Sequence, residues 1–209
     1  MKRSGNEPRA ADRIRAMAAD MFYRQGIRAV GVDELVARAG ATKPSLYRTY
    51  ASKDALVTDY LCEFAARFWQ RFEAAIAVCP GDPRGQLLEL FRRWAKRIAN
   101  PRYRGCALTN AAVEYPLRAH PAHRLSSRFK AKVRRRLRAM TADMGAAEPA
   151  LLADGLFLLL EGAYAGRQTL GSAGPGRSLD RLARHLIDGW PRRGGTQSRR
   201  PVRRPSARQ

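Results

Sequence analysis

The chain has 209 residues, of which 45% are apolar, so it has ample material for a buried core and does not read as a disordered protein. Forty Lys/Arg against 18 Asp/Glu give a formal net charge of +22, which favours polyanionic partners and implies binding that weakens steeply with salt. No apolar run approaches the roughly 18 residues of a membrane span, so no membrane association is expected.

The amino-terminal stretch MKRSGNEPRAADRIR carries no apolar signal region, so a cytoplasmic location is expected. Cys62, Cys79 and Cys106 show no CxxC spacing and fit free thiols in a reducing compartment.

The hydrophobic pattern predicts an all-α protein of about nine helices. The first spans residues 8–25, with Ile14, Met17, Ala18, Met21 and Phe22 on one face and Gly26 as its stop. Residues 32–57, VDELVARAGATKPSLYRTYASKDALV, predict two short helices joined by a tight turn, then the capped start of another. Val32, Leu35, Val36 and Ala39 form one apolar face, and Gly40 suits the left-handed turn after it. Thr42 caps the next helix, residues 43–50, with Pro44 in its first turn. That helix carries Lys43, Ser45, Tyr47, Arg48 and Tyr50 around a single core anchor, Leu46. A helix so short and polar is poor core material and well suited to a DNA groove.

Ser52 is the expected cap of the fourth helix, which runs to about residue 78 and places Leu56, Tyr60, Phe64, Phe68 and Phe72 at helical spacing. Asp82 and Pro83 open a fifth helix through Leu87, Leu90, Phe91, Trp94 and Ile98. A short sixth helix follows at residues 107–115. The seventh, residues 122–144, has an apolar stripe through Leu125, Phe129, Val133, Leu137 and Met140. The eighth, residues 149–170, is apolar almost all round, and the ninth, residues 179–190, is amphipathic. The expected division is a helix-turn-helix DNA-binding domain at 1–55, a helical effector and dimerisation domain at 56–190, and a solvated Arg-rich tail at 191–209. These segments carry +5, +10 and +7.

Phe22, Gly26, Val32, Leu35, Ala39, Gly40, Lys43, Ser45, Leu46, Tyr47, Tyr50, Ser52, Lys53 and Leu56 resemble, in type and spacing, the pattern AGVSKGTLYRYFPSKEAL of the tetracycline-repressor (TetR) family. The resemblance covers roughly residues 10–60; the helical remainder and GCALTNAAVE are similar to members less specifically. Pro44 stands where the family often has Gly, and Gly31 where Ser or Thr is common. The resemblance implies a homodimer on a near-palindromic double-stranded DNA operator, with a small-molecule effector in the larger domain. Helices eight and nine are the expected dimer contact.

Lys43, Ser45 and Arg48 are the candidates for base-edge contact, with Pro44 able to touch a thymine methyl. Thr42 is also counted among the DNA-contacting residues, with no base-edge role assigned. Tyr47 and Lys53 match positions that the resemblance assigns to phosphates; Lys53 also lies at a helix amino terminus. Tyr50 is expected in the core.

For the effector, Trp94, Tyr103, Asn110, Phe129, Phe157 and Tyr164 are candidate cavity walls, against the alternative that such aromatics are plain core. Arg136 falls inside the apolar stripe of its helix, so it needs an acidic effector, a pairing with Glu161 or Glu114, or an escape to solvent. Glu161, within LLLEGAYAG, either meets the ligand, positions Arg136 or marks a helix contact. Cys106 follows Arg102 and Arg104, where a positive field favours thiolate, against the plainer reading of a small core residue. His120 and His123 lack a third ligand, so no metal is expected.

No Gly-rich phosphate loop or nucleophile elbow occurs, and neither an enzyme nor a cofactor is expected. The leading expectation is a ligand-released repressor. The alternative is an architectural DNA-binding protein that uses the charge without sequence choice.

Overall fold

The computed structural model describes residues 9–193. Among them are nine α-helices, joined by turns and two short 3-10 segments, with no strand. The helices are α1 (Ala10–Gln25), α2 (Val32–Arg38), α3 (Lys43–Tyr47), α4 (Lys53–Ile76), α5 (Pro83–Ala99), α6 (Ala107–Glu114), α7 (Pro121–Asp143), α8 (Pro149–Leu170) and α9 (Leu179–Gly189).

The predicted punctuation accounts for the main breaks. The Gly26 φ of 95° stops α1, and that of Gly40, 56°, turns the chain between α2 and α3. Side chains of Thr42, Ser52 and Asp82 accept from the backbone N–H groups of Ser45, Ala55 and Gly85, capping α3, α4 and α5. His120 caps α7 through Nδ1, a role its sequence context did not suggest. Helix α2 follows Gly31 without a side-chain cap, but Asp33 and Glu34 in its first turn complement the helix dipole.

The helices α1 to α3 and the first turns of α4 share one apolar cluster: Ile14, Ala18, Phe22, Leu35, Leu46, Leu56 and Val57 are buried. Polar ties fix their angles. Arg13 donates to the carbonyls of Ala39 and Gly40, satisfying the open end of α2. Tyr50 is buried, as expected, and its hydroxyl donates to Asp59 at 2.7 Å while Arg15 holds both. The remaining helices extend the core, with α7 against α8 through Val133, Leu137, Leu152, Leu156 and Leu160.

Three expectations shift. The helix expected at 43–50 ends at Tyr47, because Thr49 and Tyr50 both bond back to the Leu46 carbonyl and close a turn there. The tail expected from 191 is not free at its start. Arg193 N–H donates to the Gly145 carbonyl, Ala147 N–H donates to that of Pro191, and the Arg192 guanidinium donates to that of Met144. Backbone groups of the α7–α8 turn thus hold residues 191–193; the rest of the tail lies outside the described residues. Finally, Pro149–Ala173 is long and apolar enough, by length and composition, to cross a membrane, although no continuous apolar run exists. Its inner face belongs to the core, and its outer face leaves Leu151, Leu158 and Leu170 exposed.

Candidate nucleic-acid interface and interior cavity

Burying Leu46 completely turns the rest of α3 outward. Thr42, Lys43, Pro44, Tyr47 and Arg48 are exposed, and Ser45 is half-buried. Within this face Lys43 pairs with Asp33 of α2 at 2.7 Å, which raises its ammonium above the ordinary lysine range. Arg48 donates to the Ser45 hydroxyl at 3.0 Å, and that hydroxyl lies 3.0 Å from Thr42 Oγ1. Three of the predicted contact residues, Thr42, Ser45 and Arg48, are therefore linked in one preset polar strip, while Lys43 is tied to Asp33.

Lys53 stands apart from that strip. It is half-buried at the start of α4, and its ammonium donates to the Val30 carbonyl at 2.6 Å. Burial lowers it from the ordinary lysine value. One of its three protons is thus spent inside the protein, leaving two for an anion.

The predicted effector residues divide. Trp94, Tyr103 and Tyr164 line one cavity of about 350 Å³, together with Phe64, Phe68, Arg71, Arg97 and Cys106. It lies between α4, α5, α8 and the loop before α6. Phe129 is not a wall: it packs edge-on against Phe68, with centroids 4.9 Å apart, behind the cavity. Phe157 is half-buried elsewhere on α8. Asn110 is spent on structure, donating to the Arg104 carbonyl and accepting from Gln168 at 2.7 Å.

Arg136 pairs with neither Glu161 nor Glu114. It reaches Glu73 of α4 at 3.2 Å and lies over the Phe72 ring, half-exposed. Its stem covers the apolar stripe while its head escapes to solvent. Glu161 instead accepts from Lys130 at 2.5 Å and from Thr109 at 3.3 Å. Cys106 is buried at 2% exposure. His123 bonds the Tyr115 carbonyl, and no cluster of metal-ligating side chains occurs among the described residues.

The cavity arginines Arg71 and Arg97 were missed in the sequence, although a signal existed. Arg71 follows Phe64 and Phe68 at steps of seven and three, and Arg97 follows Leu90 and Trp94 likewise. Each is a charge on an apolar face, the pattern that singled out Arg136.

The cavity also touches the helix-turn-helix. Tyr103 and Cys106 are walls, and between them Gly105 accepts from the Tyr23 hydroxyl of α1 at 3.1 Å while Arg104 N–H donates to that hydroxyl at 2.9 Å. Farther along, Glu114 of α6 accepts from Arg28 N–H at 2.8 Å.

Fold and polar strip together define a helix-turn-helix DNA-binding transcriptional regulator. A family model described as bacterial regulatory proteins, tetR family, matches residues 14–60. The structure is similar to a putative TetR transcriptional regulator of Streptomyces avermitilis, with 31% identity, TM-score 0.75, and coverage of 87% of this chain and 97% of that one. It is also similar to a TetR-family transcriptional regulator of Streptomyces coelicolor, with 29% identity, TM-score 0.78, and coverage of 86% and 93%. The chain belongs to the TetR family, whose members are transcriptional regulators rather than enzymes. A cysteine mutant of the TetR-family regulator CifR, complexed with 26-base-pair operator DNA, shares the fold at 21% identity and TM-score 0.71, covering 90% of this chain and all of that one. No curated protein matches the chain significantly.

Proposed function

We propose that this protein is a ligand-responsive repressor that binds a near-palindromic operator as a homodimer. In this reading residues 1–55 bind DNA, residues 56–190 bind effector and dimerise, and the protein works in the cytoplasm, where the DNA lies. Lys43, Pro44, Ser45 and Arg48 read base edges, while Thr42, Tyr47 and Lys53 hold phosphates. CifR, which is complexed with operator DNA on the same fold, supports the DNA-binding reading. One helix-turn-helix supplies few base-reading side chains, so two copies about one helical turn apart are needed for specific affinity.

The dimer reading rests on α8 and α9. Leu158 is 69% exposed and Leu182 48%, and both border a largely apolar groove with Gly155, Gly162 and Leu186. The two glycines allow close approach of a second copy, and the groove continues an outer face too apolar to stay in water.

The observation that carries ligand response is the loop shared between the cavity and Tyr23 of α1. An occupant that moves Tyr103 or Cys106 shifts the loop on which α1 hangs, and the dimer then favours a spacing that misfits the operator. The test is selection of bound sequences from a random DNA pool, followed by titration of the selected site. Enrichment of a palindrome supports the repressor; a specificity ratio near one would favour the architectural alternative.

A further inference from the structure

Two guanidinium groups enter the cavity without a counter-charge. Arg71 stands at its mouth on α4, and Arg97 is half-buried on α5. Neither makes a hydrogen bond or ion pair among the described residues; Arg97 only lies over the Tyr103 ring, 5.2 Å from its centre. Arg93 at the same rim is different, because Glu89 neutralises it at 2.6 Å. No Asp or Glu lines the cavity. Arg71 and Arg97 also line an adjoining depression that contains Asp20, but that carboxylate is held by Arg24 at 2.6 Å.

Partial burial, and then the neighbouring Arg97, lower the Arg71 guanidinium from its ordinary value. The two positive charges therefore oppose each other, with Lys96 adding a third at the exposed rim, in a space whose remaining walls are aromatic, aliphatic or uncharged apart from the paired Arg93. Charge repulsion of this kind is relieved by an anion between the two groups. The flat guanidinium fork fits a carboxylate with two parallel hydrogen bonds. Phe64, Phe68, Trp94 and Tyr164 line the space for the apolar body of such a ligand, and a volume near 350 Å³ falls at the small end of ligand sites.

Building on the reading of this cavity as the effector site, we propose that the effector is a small aromatic carboxylate, its anionic head between Arg71 and Arg97 and its ring among the aromatic walls. A neutral analogue of the same shape keeps the ring contacts and loses the head group. A purely inorganic anion keeps the head group and loses the rings.

The test titrates full-length protein with 2-naphthoate, 2-naphthamide, hexanoate and inorganic phosphate, following heat of binding and tryptophan fluorescence. The naphthoate is expected to bind at least about tenfold more tightly than the amide, hexanoate and phosphate. Arg71→Gln and Arg97→Gln are each expected to weaken naphthoate about tenfold or more and leave the amide unchanged. Both substitutions keep the side chain polar at a solvent-reached position, and unchanged thermal unfolding checks that the fold persists. Equal binding of acid and amide, unchanged naphthoate affinity in both variants, or no carboxylate binding up to about millimolar concentration would each overturn the proposal.

Operator binding is measured in the same samples and separates the two readings. Naphthoate that binds through the arginines without changing operator affinity leaves this site assignment standing and removes ligand-released repression. Release of DNA by the neutral amide alone does the reverse.

Discussion

The Tyr23 hydroxyl donates to the Gly105 carbonyl across 3.1 Å, joining α1 of the helix-turn-helix to the cavity loop. The same oxygen accepts from Arg104 N–H, so two polar contacts between the two regions depend on one atom. Tyr23→Phe keeps the ring against Phe64 and deletes both contacts. It is expected to cost about 1–2 kcal/mol of stability and to leave operator affinity without ligand nearly unchanged, while blunting ligand-induced release. Operator titration with and without effector checks this; full release in the variant would show that coupling runs elsewhere.

Arg48 and Lys53 are expected to fail differently on DNA. Arg48→Ala should relax preference at one operator position, a loss of about 1–3 kcal/mol on the cognate sequence and little on random DNA. Lys53→Ala should weaken all sequences and lower the salt slope by about one. Because Lys53 also bonds the Val30 carbonyl, that variant should in addition melt at lower temperature. Salt-dependent binding to operator and scrambled DNA separates the two; equal loss on both for Arg48→Ala contradicts base reading.

Leu158→Arg places a charge at the centre of the exposed α8 face. Folding should persist, because the side chain faces solvent in the single chain. Sedimentation should then report a monomer with operator affinity reduced by at least about a hundredfold, as expected when two half-sites no longer bind together. A variant that sediments as a dimer would move the interface off this face.

Hydrogen bonds from Arg92, then Arg93, push the Glu89 carboxyl down to about 2, against an ordinary value of 4.5. A depressed folded value means the stabilisation is complete above about pH 4.5 and is lost as pH falls through 2. Arg92 is exposed and Arg93 partly so, which leaves the pair screened by solvent and the effect small, about 1 kcal/mol at most. Glu89→Gln should show that deficit in urea unfolding at neutral pH, and the gap to the unchanged protein should narrow steadily below pH 4.5. A gap independent of pH would assign the loss to packing instead.

Gly26→Ala meets two obstacles at once. The backbone φ of 95° is unfavourable to an L side chain, and a new Cβ would lie 3.4 Å from the Glu114 carboxylate that holds Arg28 N–H. A destabilisation of about 1–3 kcal/mol is expected in thermal or urea unfolding.

How much of this was readable in advance depends on whether the cause is local. The eighth helix was expected at 149–170 and occupies those residues, since Pro149 and Gly171 punctuate it within the chain itself. The exposed strip of α3 was equally legible, because one buried Leu46 fixes which side faces out. The stripe position of Arg136 and its escape to solvent were both legible, but its carboxylate partner was not. A guanidinium on a long stem chooses among carboxylates brought near by folding, and Glu73 is 63 residues away in sequence. The cavity arginines show the same limit. Their apolar helix faces were visible, whereas the lack of any neighbouring acid became evident only once four separate segments had met.

The helix α4 gives the cavity a mechanical advantage. It is a single rod of 24 residues, capped by Ser52 beside the polar strip and lined by Phe64, Phe68 and Arg71 where it passes the cavity. At 1.5 Å per residue, Phe68 lies about 24 Å along the axis from the capped end. Tilting the rod by about 5° at that point sweeps the capped end through about 2 Å. In the proposed symmetric dimer both ends would sweep, and the gap between the two reading helices would change by up to about 4 Å, more than the length of a hydrogen bond. In the proposed function, a ligand too small to span the molecule would thereby gain leverage over a DNA groove it never touches.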